Sequence, residues 1–202
     1  DAHAGIVRIR AFGTHGTMPF AVTDMIEGSD LSKQVKATGG LPVDTALTYI
    51  EAVARAIQHC HDHGVLHRDL KPANVLLRTA DSAPFVTDFG LALEGDEAER
   101  LTKTGDALGT PAYMSPEQAD GDKASVDHLT DVYALGATLY ELVTGHPPFT
   151  GQAIQIMHKI FTEAPKPIDT HKPGTPPGVN AICQRAMAKD KVNRYESAAA
   201  FA

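Results

Sequence analysis

A run of mixed polar side chains lies directly in front of a short apolar segment at residues 67–77, "HRDLKPANVLL". The run contains a histidine, two cations, an acid and an amide. Taken alone, it also suits a solvated helix exit followed by a turn, because short motif matches include false positives. Partners for these groups elsewhere in the chain therefore decide between the two interpretations.

Alternating residues near the start of the chain predict a β-hairpin. Its strands are "IVRIRAFG" and "PFAVTDMIEG", with a turn at Thr14–Thr17. The period becomes helical after Gly28, and Ser29 or Asp30 is expected to cap a short helix that runs to Val35. The chain thus begins with a strand pair and continues as helix.

The rest of the chain is mainly helical in pattern. The clearest helix is "VDTALTYIEAVARAIQHCHDHG", with Asp44 as the expected N-cap and Gly64 as its end. "NVLL" and "FVTDF" predict a second hairpin, and "DVYALGATLYELVTG", "QAIQIMHKIF" and "GVNAICQRAMAK" predict further helices. Residues 94–121 lack a period and predict a long polar loop. The expected fold class is α+β.

Composition excludes several function classes. The chain has 202 residues with 43% hydrophobic and 21% charged side chains, which suits one globular domain or most of one. A formal charge of −7 predicts neither nucleic-acid binding nor contact with an anionic membrane. Cys60 and Cys183 are the only cysteines, and no apolar run is long enough to span a membrane. A cytoplasmic location is expected.

Three oxygen-bearing side chains have the spacing that phosphoryl transfer needs. Asp69 and Asn74 are five residues apart, and Asp88 follows Asp69 by nineteen. A carboxylate and an amide oxygen suit Mg²⁺, which would hold the phosphates of a nucleotide. Asp69 would accept the proton of an attacking hydroxyl, and Lys71 would offset phosphate charge. Two strand ends that converge on one cleft would bring these groups together.

In order along the chain, these motifs resemble the C-terminal lobe of a protein kinase. "HRDLKPAN" resembles the catalytic loop, and "DFG" is followed by "SPE" in place of the more usual A-P-E. "DVYALGATLYELVTGHPPF" and "AKDKVNRYES" resemble the central helix and the closing region. Lys71 and "GTPAYMSPEQ", which contains Thr110, resemble serine/threonine kinases, in particular the eukaryotic-type kinases of bacteria.

The resemblance implies a protein-kinase-like fold and a division of the chain. Residues 1–28 would be the end of the N-lobe, two strands and the hinge, and residues 29–202 the mostly helical C-lobe. The Gly-rich loop, the strand lysine and the helix-C glutamate are expected to precede residue 1, so that the chain as given is expected to be inactive. The implied cofactors are ATP and Mg²⁺, and the implied partners are proteins that carry Ser or Thr.

The resemblance also implies roles for individual residues. Asp69 would be the catalytic base, Lys71 the phosphate contact, and Asn74 and Asp88 the metal ligands. In the hinge, the Asp24 carbonyl and the Ile26 amide would bind adenine. Two further residues would border the base, the gatekeeper Thr23 and the apolar floor Leu76.

A last group of implied roles is structural or regulatory. His67 would pack near Phe89, Asp131 would accept hydrogen bonds from the catalytic-loop backbone, and Glu117 would form a buried ion pair with Arg194. Arg68 would bind a phosphate on Thr102 or Thr104 in the polar loop, near a substrate platform at Thr110.

Two other functions and one other site remain open at this point. A small-molecule phosphotransferase shares the Asp69–Asn74 spacing, although such enzymes generally lack the long segment between "DFG" and "SPE". A non-catalytic kinase-like binding module is the other alternative. "HCHDHGVLH" could also be drawn as a metal site, but no cysteine or carboxylate cluster completes a ligand set.

Overall fold

The computed structural model describes residues 3–89 and 111–202. Strands β1 (Ile9–His15) and β2 (Met18–Thr23) form the predicted antiparallel hairpin. The first strand was predicted from Ile6, but it begins three residues later. Ile6 instead forms a parallel bridge with Val86, and the Val7 amide donates to the Val86 carbonyl at 2.9 Å.

A second sheet has three strands, and Ile6 bridges to one of them. It consists of β3 (Gly28–Asp30), β4 (Val75–Arg78) and β5 (Pro84–Val86) in that order, all antiparallel. The β4–β5 hairpin was predicted, whereas β3 was not. A Cβ at Gly28 would lie 1.8 Å from the Leu77 carbonyl oxygen, so only glycine permits this pairing.

Two helices follow the predicted pattern with shifted ends. Helix α1 (Leu31–Thr38) is capped by Asp30 and runs past the predicted end at Val35. Helix α2 (Val43–Asp62) begins directly after Pro42, so the prediction of Asp44 as N-cap was wrong. Because Pro42 already directs the chain into the helix, Asp44 lies inside the first turn, where a negative charge is favourable.

The end of α2 sets the direction of the loop that follows it, at residues 67–74. Gly64 has a φ of +73°, and its amide donates to His61 at 2.9 Å. The Val65 amide donates to Cys60, also at 2.9 Å. This pair of bonds is the Schellman arrangement, which ends the helix and turns the chain toward residues 67–74.

The long helix α4 (His128–Thr144) is the centre of the core. A short helix, α3 (Pro116–Ala119), precedes it and lies within residues 94–121, where the sequence predicted a loop. The prediction began α4 at Asp131, but Asp127 caps it by accepting from the Leu129 amide at 2.8 Å. Every residue from Thr130 to Thr144 is buried, so α4 is enclosed on all sides.

Three further helices complete the described fold: α5 (Ala153–Thr162), α6 (Pro177–Ala186) and α7 (Ala198–Phe201). Helices α2, α6 and α7 pack against α4. Within residues 3–89 and 111–202, no helix is long and apolar enough to cross a membrane. The small strand region and the helical body agree with the predicted α+β class.

Candidate active site

A buried carboxylate on α4 fixes the loop at residues 67–74, which follows α2. Asp131 is fully buried, and its two oxygens accept from the backbone amides of His67 and Arg68, both at 2.8 Å. A carboxylate that accepts two backbone N–H groups holds the loop more firmly than neutral acceptors would. The structure thus places Asp131 where the sequence prediction put it, beneath the loop.

His61 is a third partner of this carboxylate, and sequence reasoning missed it. Its Nε2 lies 2.8 Å from Asp131 Oδ2, and the imidazole is only 6% exposed. In the sequence, His61 stood out only as a candidate metal ligand in "HCHDHGVLH". Among the described residues no group of three potential ligands is arranged to hold a metal ion. The helical period of α2 could have indicated that His61 is buried, because it places position 61 beside the buried residues Cys60 and Ile57.

Asp69, Lys71 and Asn74 form one connected cluster. Lys71 Nζ lies 2.9 Å from Asp69 Oδ1 and 2.7 Å from Oδ2. The Asn74 side-chain nitrogen, Nδ2, donates to the Asp69 backbone carbonyl at 2.8 Å and to Asp69 Oδ2 at 3.1 Å. Asn74 is buried in a short 3₁₀ turn (Pro72–Asn74) that leads into β4. The Asn74 side-chain nitrogen thus faces Asp69, which turns its carboxamide oxygen away from that residue.

The end of β5 approaches the same cluster. The Thr87 amide donates to the Asn74 carbonyl at 3.0 Å, and Asp88 is the next residue. Asp88 has a φ of +57°, a left-handed conformation that is uncommon for a residue with a side chain. Such conformations concentrate at functional sites. The donor set of Asn74 and Asp88, an amide and a carboxylate, fits a hard divalent cation such as Mg²⁺.

His67 connects the loop to the strand. Its Nε2 lies 3.0 Å from the Thr87 carbonyl, its Nδ1 lies 3.3 Å from the Asp69 amide, and its ring centre is 4.8 Å from that of Phe89. Burial lowers the pKa of His67 below its ordinary value, although Asp131, Asp69 and Asp88 act in the opposite direction. The neutral imidazole that this favours is a structural link.

The predicted hinge residues follow β2. Thr23 ends this strand, and the Asp24 amide donates to the Arg8 carbonyl at 2.9 Å. The Asp24 carboxylate binds Arg10 through two bonds, at 2.5 and 3.1 Å. No backbone hydrogen bond among the described residues uses the Asp24 carbonyl or the Ile26 amide.

Leu76 lies on β4, the strand that follows residues 67–74. On β4, Val75 and Leu77 are buried in the core, whereas Leu76 and Arg78 are half-buried on the opposite side. Leu76 therefore points away from the packed core, as a residue that contacts a ligand would.

Glu117 and Arg194 form a buried, two-bonded ion pair. Arg194 Nη1 and Nη2 lie 2.7 and 2.8 Å from the two carboxylate oxygens, and Thr130 Oγ1 donates to Glu117 at 2.9 Å. Burial raises the pKa of Glu117, but the hydrogen bonds and charge of Arg194 outweigh it, so the pKa lies below its ordinary value. This pair joins α3 to the end of the chain.

Tyr113 and Glu141 form a second contact that sequence reasoning missed. The Tyr113 hydroxyl donates to a Glu141 oxygen. Burial, and then the charge of Glu141, raises the pKa of Tyr113, and the Asp69 carboxylate acts in the same direction. The segment that contains Tyr113 is thus anchored to α4. Thr102, Thr104 and Thr110 lie outside the described residues.

Comparison with known proteins identifies the family. The family model of the protein kinase domain matches residues 1–201. The chain therefore belongs to the protein kinase domain family, and the predicted resemblance to eukaryotic-type serine/threonine kinases of bacteria is confirmed.

Two of the similar curated proteins are mycobacterial kinases. The chain is similar to serine/threonine-protein kinase PknB of Mycobacterium leprae, at 36% identity over 98% of this chain and 32% of the relative. It is 38% identical to PknB of Mycobacterium tuberculosis, over 91% of this chain and 29% of the relative. The chain therefore spans about a third of the length of these relatives.

Solved structures agree on the fold. The crystal structure of the Mycobacterium tuberculosis PknI kinase domain matches with a TM-score of 0.78 and 27% identity, over 99% of this chain and 70% of that one. A structure of Rad53 1-466 in complex with AMP-PNP matches with a TM-score of 0.79 and 26% identity, over 99% of this chain and 50% of that one. The predicted kinase-like fold is confirmed.

Proposed function

We propose that the protein containing this chain transfers the γ-phosphoryl group of ATP to Ser or Thr hydroxyls of proteins. The cluster of Asp69, Lys71 and Asn74, with Asp88 one residue beyond the Asn74–Thr87 backbone bond, supports this reaction most directly. Relatives named serine/threonine-protein kinases support the choice of acceptor. In this proposal residues 1–28 belong to the N-lobe and hinge, and residues 29–202 form the C-lobe.

Each side chain has one task in the proposed reaction. Asp69 accepts the proton of the attacking hydroxyl through its exposed carboxylate. Lys71, which binds both oxygens of that carboxylate, supplies positive charge where the phosphoryl group passes between donor and acceptor. Asp131 and His61 hold the loop beneath these groups and do not touch the substrate.

The nucleotide and metal use separate parts of the site. Asn74 and Asp88 would hold Mg²⁺, which neutralises phosphate charge when bound. The Asp24 carbonyl and the Ile26 amide would bind the adenine edge, beside Thr23. Leu76 would pack against the face of the base. The nucleotide complex of the structural neighbour Rad53 agrees with ATP as the phosphoryl donor.

The two alternatives are disfavoured by specific observations. The whole of residues 1–201 matches the protein kinase domain, including the segment between "DFG" and "SPE" that small-molecule phosphotransferases generally lack. Asp69, Asn74 and Asp88 are all retained, which a non-catalytic module does not require. Two buried, unpaired cysteines and the use of ATP favour a cytoplasmic location.

The direct test is phosphoryl transfer by the complete gene product. Incubated with ATP, Mg²⁺ and a general protein substrate, it is expected to form phosphoserine or phosphothreonine, detected by mass spectrometry. Chelation of Mg²⁺ is expected to abolish the product, because Asn74 and Asp88 would then hold no metal. Phosphorylation of a small molecule but of no protein would favour the first alternative, and ATP binding without transfer would favour the second.

Regulation by the predicted loop at residues 94–121 is a further prediction. We expect the complete kinase to phosphorylate itself on Thr102, Thr104 or both, because the exposed Arg68 side chain would bind a loop phosphate. Replacement of both threonines by alanine is expected to lower activity toward other substrates about tenfold or more, as loss of a charge-assisted contact would. Phosphopeptide mapping and steady-state kinetics measure the two effects.

The control for this prediction is Thr48→Ala, an exposed threonine on α2 that is outside the loop. Arg68→Ala is expected to lower activity as the double change does, and the combination to cost little more, since both remove the same interaction. Fully additive losses, or the absence of a loop phosphopeptide after incubation with ATP and Mg²⁺, would count against the mechanism.

A further inference from the structure

We propose that Gln118 positions Asp69, by holding the peptide unit that joins Arg68 to Asp69. Gln118 lies on α3, fifty residues from Arg68, and its Nε2 donates to the Arg68 carbonyl oxygen at 2.7 Å. This inference rests on the proposed phosphoryl transfer, in which Asp69 is the proton acceptor. Gln118 itself touches neither substrate nor nucleotide in this scheme.

The peptide unit formed by the Arg68 carbonyl and the Asp69 amide directly precedes the Asp69 Cα and so sets the orientation of the Asp69 side chain. Its carbonyl is bound by Gln118, and its N–H, on Asp69, faces His67 Nδ1 at 3.3 Å. Arg68 has a φ of +65°, a left-handed conformation that a non-glycine residue adopts at some cost. The surroundings must stabilise such a conformation. Asp131 binds the backbone on the N-terminal side of Arg68, through the amides of His67 and Arg68, both at 2.8 Å. Gln118 binds the Arg68 carbonyl, on the C-terminal side.

The oxygen of the same carboxamide has a separate structural task. Gln118 Oε1 accepts from the Ser115 backbone amide at 3.1 Å, and the Gln118 backbone amide donates to Ser115 Oγ at 3.4 Å, so that the two residues form the capping box of α3. A capping box needs only a side-chain acceptor at this position, so glutamate serves it as well as glutamine does. The amide nitrogen is therefore not needed for the cap, and its bond reaches the catalytic loop instead.

Helix α3 is a firm base for this contact. The neighbouring residue, Glu117, is fixed by two bonds to Arg194. The capping box sets the first turn of α3, and the buried ion pair fixes the helix against the end of the chain. The geometry of Asp69 thus depends on the position of α3, which contains the Pro and Glu of the "SPE" motif.

Substitutions at Gln118 separate the two tasks. Gln118→Glu retains the acceptor of the capping box but removes the donor to Arg68, whereas Gln118→Met removes both without adding charge. In the complete gene product, both variants are expected to lower kcat about tenfold, as loss of one well-formed hydrogen bond would, and to leave KM for ATP unchanged. Gln118→Glu is also expected to keep a Tm close to that of the wild type.

The chain offers a matched control in α5. Gln155 accepts from the Gln152 backbone amide at 3.0 Å, which is the same capping-box contact without a bond to the catalytic loop. Gln155→Glu and Gln155→Met are expected to leave kcat unchanged. Wild-type kcat in both Gln118 variants would overturn the proposal. So would a loss in Gln118→Met alone, which indicates the cap, or in Gln118→Glu alone, which indicates an effect of charge.

Hydrogen exchange supplies a readout that does not require activity. Peptides that cover residues 66–72 are expected to exchange faster in both Gln118 variants than in the wild type, and to be unchanged in the Gln155 variants. Unchanged exchange in the Gln118 variants would refute the contact. An inactive wild-type protein would instead refute the proposed function, while the exchange result would still decide whether Gln118 holds the loop.

Discussion

Asp69→Asn in the complete gene product is expected to lower kcat for protein phosphorylation by about 10²- to 10⁴-fold, the usual cost of losing a general base. Asparagine has the same shape as aspartate and can keep the contact with Asn74, which is 3.1 Å from Oδ2. It cannot accept the hydroxyl proton. Steady-state kinetics with ATP and a protein substrate measure the change.

The expected loss is confined to chemistry. The KM for ATP is expected to change little, because adenine would be bound at Asp24 and Ile26 in the hinge. Asp44→Asn, at an exposed position in the first turn of α2, is the matched control and is expected to retain full activity. Turnover of Asp69→Asn within threefold of the wild type, with transfer from ATP verified, would contradict the assignment of the base.

Arg194→Met is expected to lower the free energy of unfolding by about 3–5 kcal/mol, because it leaves the Glu117 charge buried without its partner. The methionine retains much of the apolar length of arginine. The change also removes bonds to the backbone carbonyls of Ala188, at 2.8 Å, and Leu129, at 3.0 Å. Denaturant unfolding of the complete gene product, followed by a probe of this domain, measures the loss.

An exposed ion pair of the same length provides the comparison. Arg55 Nη2 lies 2.7 Å from Glu51 Oε1, the distance also found in the buried pair, but both side chains are about half or more exposed, at 64% and 49%. Arg55→Met is expected to cost less than about 1 kcal/mol, since surface pairs contribute little. Equal losses at the two sites would show that burial does not determine the contribution of Arg194.

The pH dependence of stability should distinguish the two variants further. The pKa of Glu117 is lowered in the folded state, so its contribution is present above the unfolded-state pKa and is lost as the pH falls through the folded-state value. Arg194→Met is expected to weaken this acid-dependent loss, because the lowering of the pKa depends on Arg194. Arg55→Met is expected to leave it unchanged.

Local sequence patterns predicted much of the fold. The hairpins, the helical period of α2 and its end at Gly64 depend on neighbouring residues, so they can be recognised without tertiary contacts. Two short elements, β3 and α3, were not predicted, and the other errors lie at element boundaries. Pro42 displaced Asp44 as the start of α2, and Asp127 began α4 earlier than its apolar period indicated.

The residues of the candidate site were predictable because their chemistry is written in short motifs. Asp69, Lys71 and Asn74 lie within six positions of one loop, and the structure brings them into hydrogen-bond contact. The assigned roles of these residues, and of Thr102, Thr104 and Thr110 outside the described residues, stay predictions.

The kinds of chemical group in the site, and their order along the chain, can be recognised from the sequence. The contacts that position these groups are visible only in the folded chain: His61 contacts Asp131 seventy residues away, and Gln118 donates to Arg68 fifty residues away. The paired residues lie on different elements, so neither the period of a helix nor that of a strand relates them. Such contacts depend on how α2, α3 and α4 pack together, and that packing comes from the buried core as a whole.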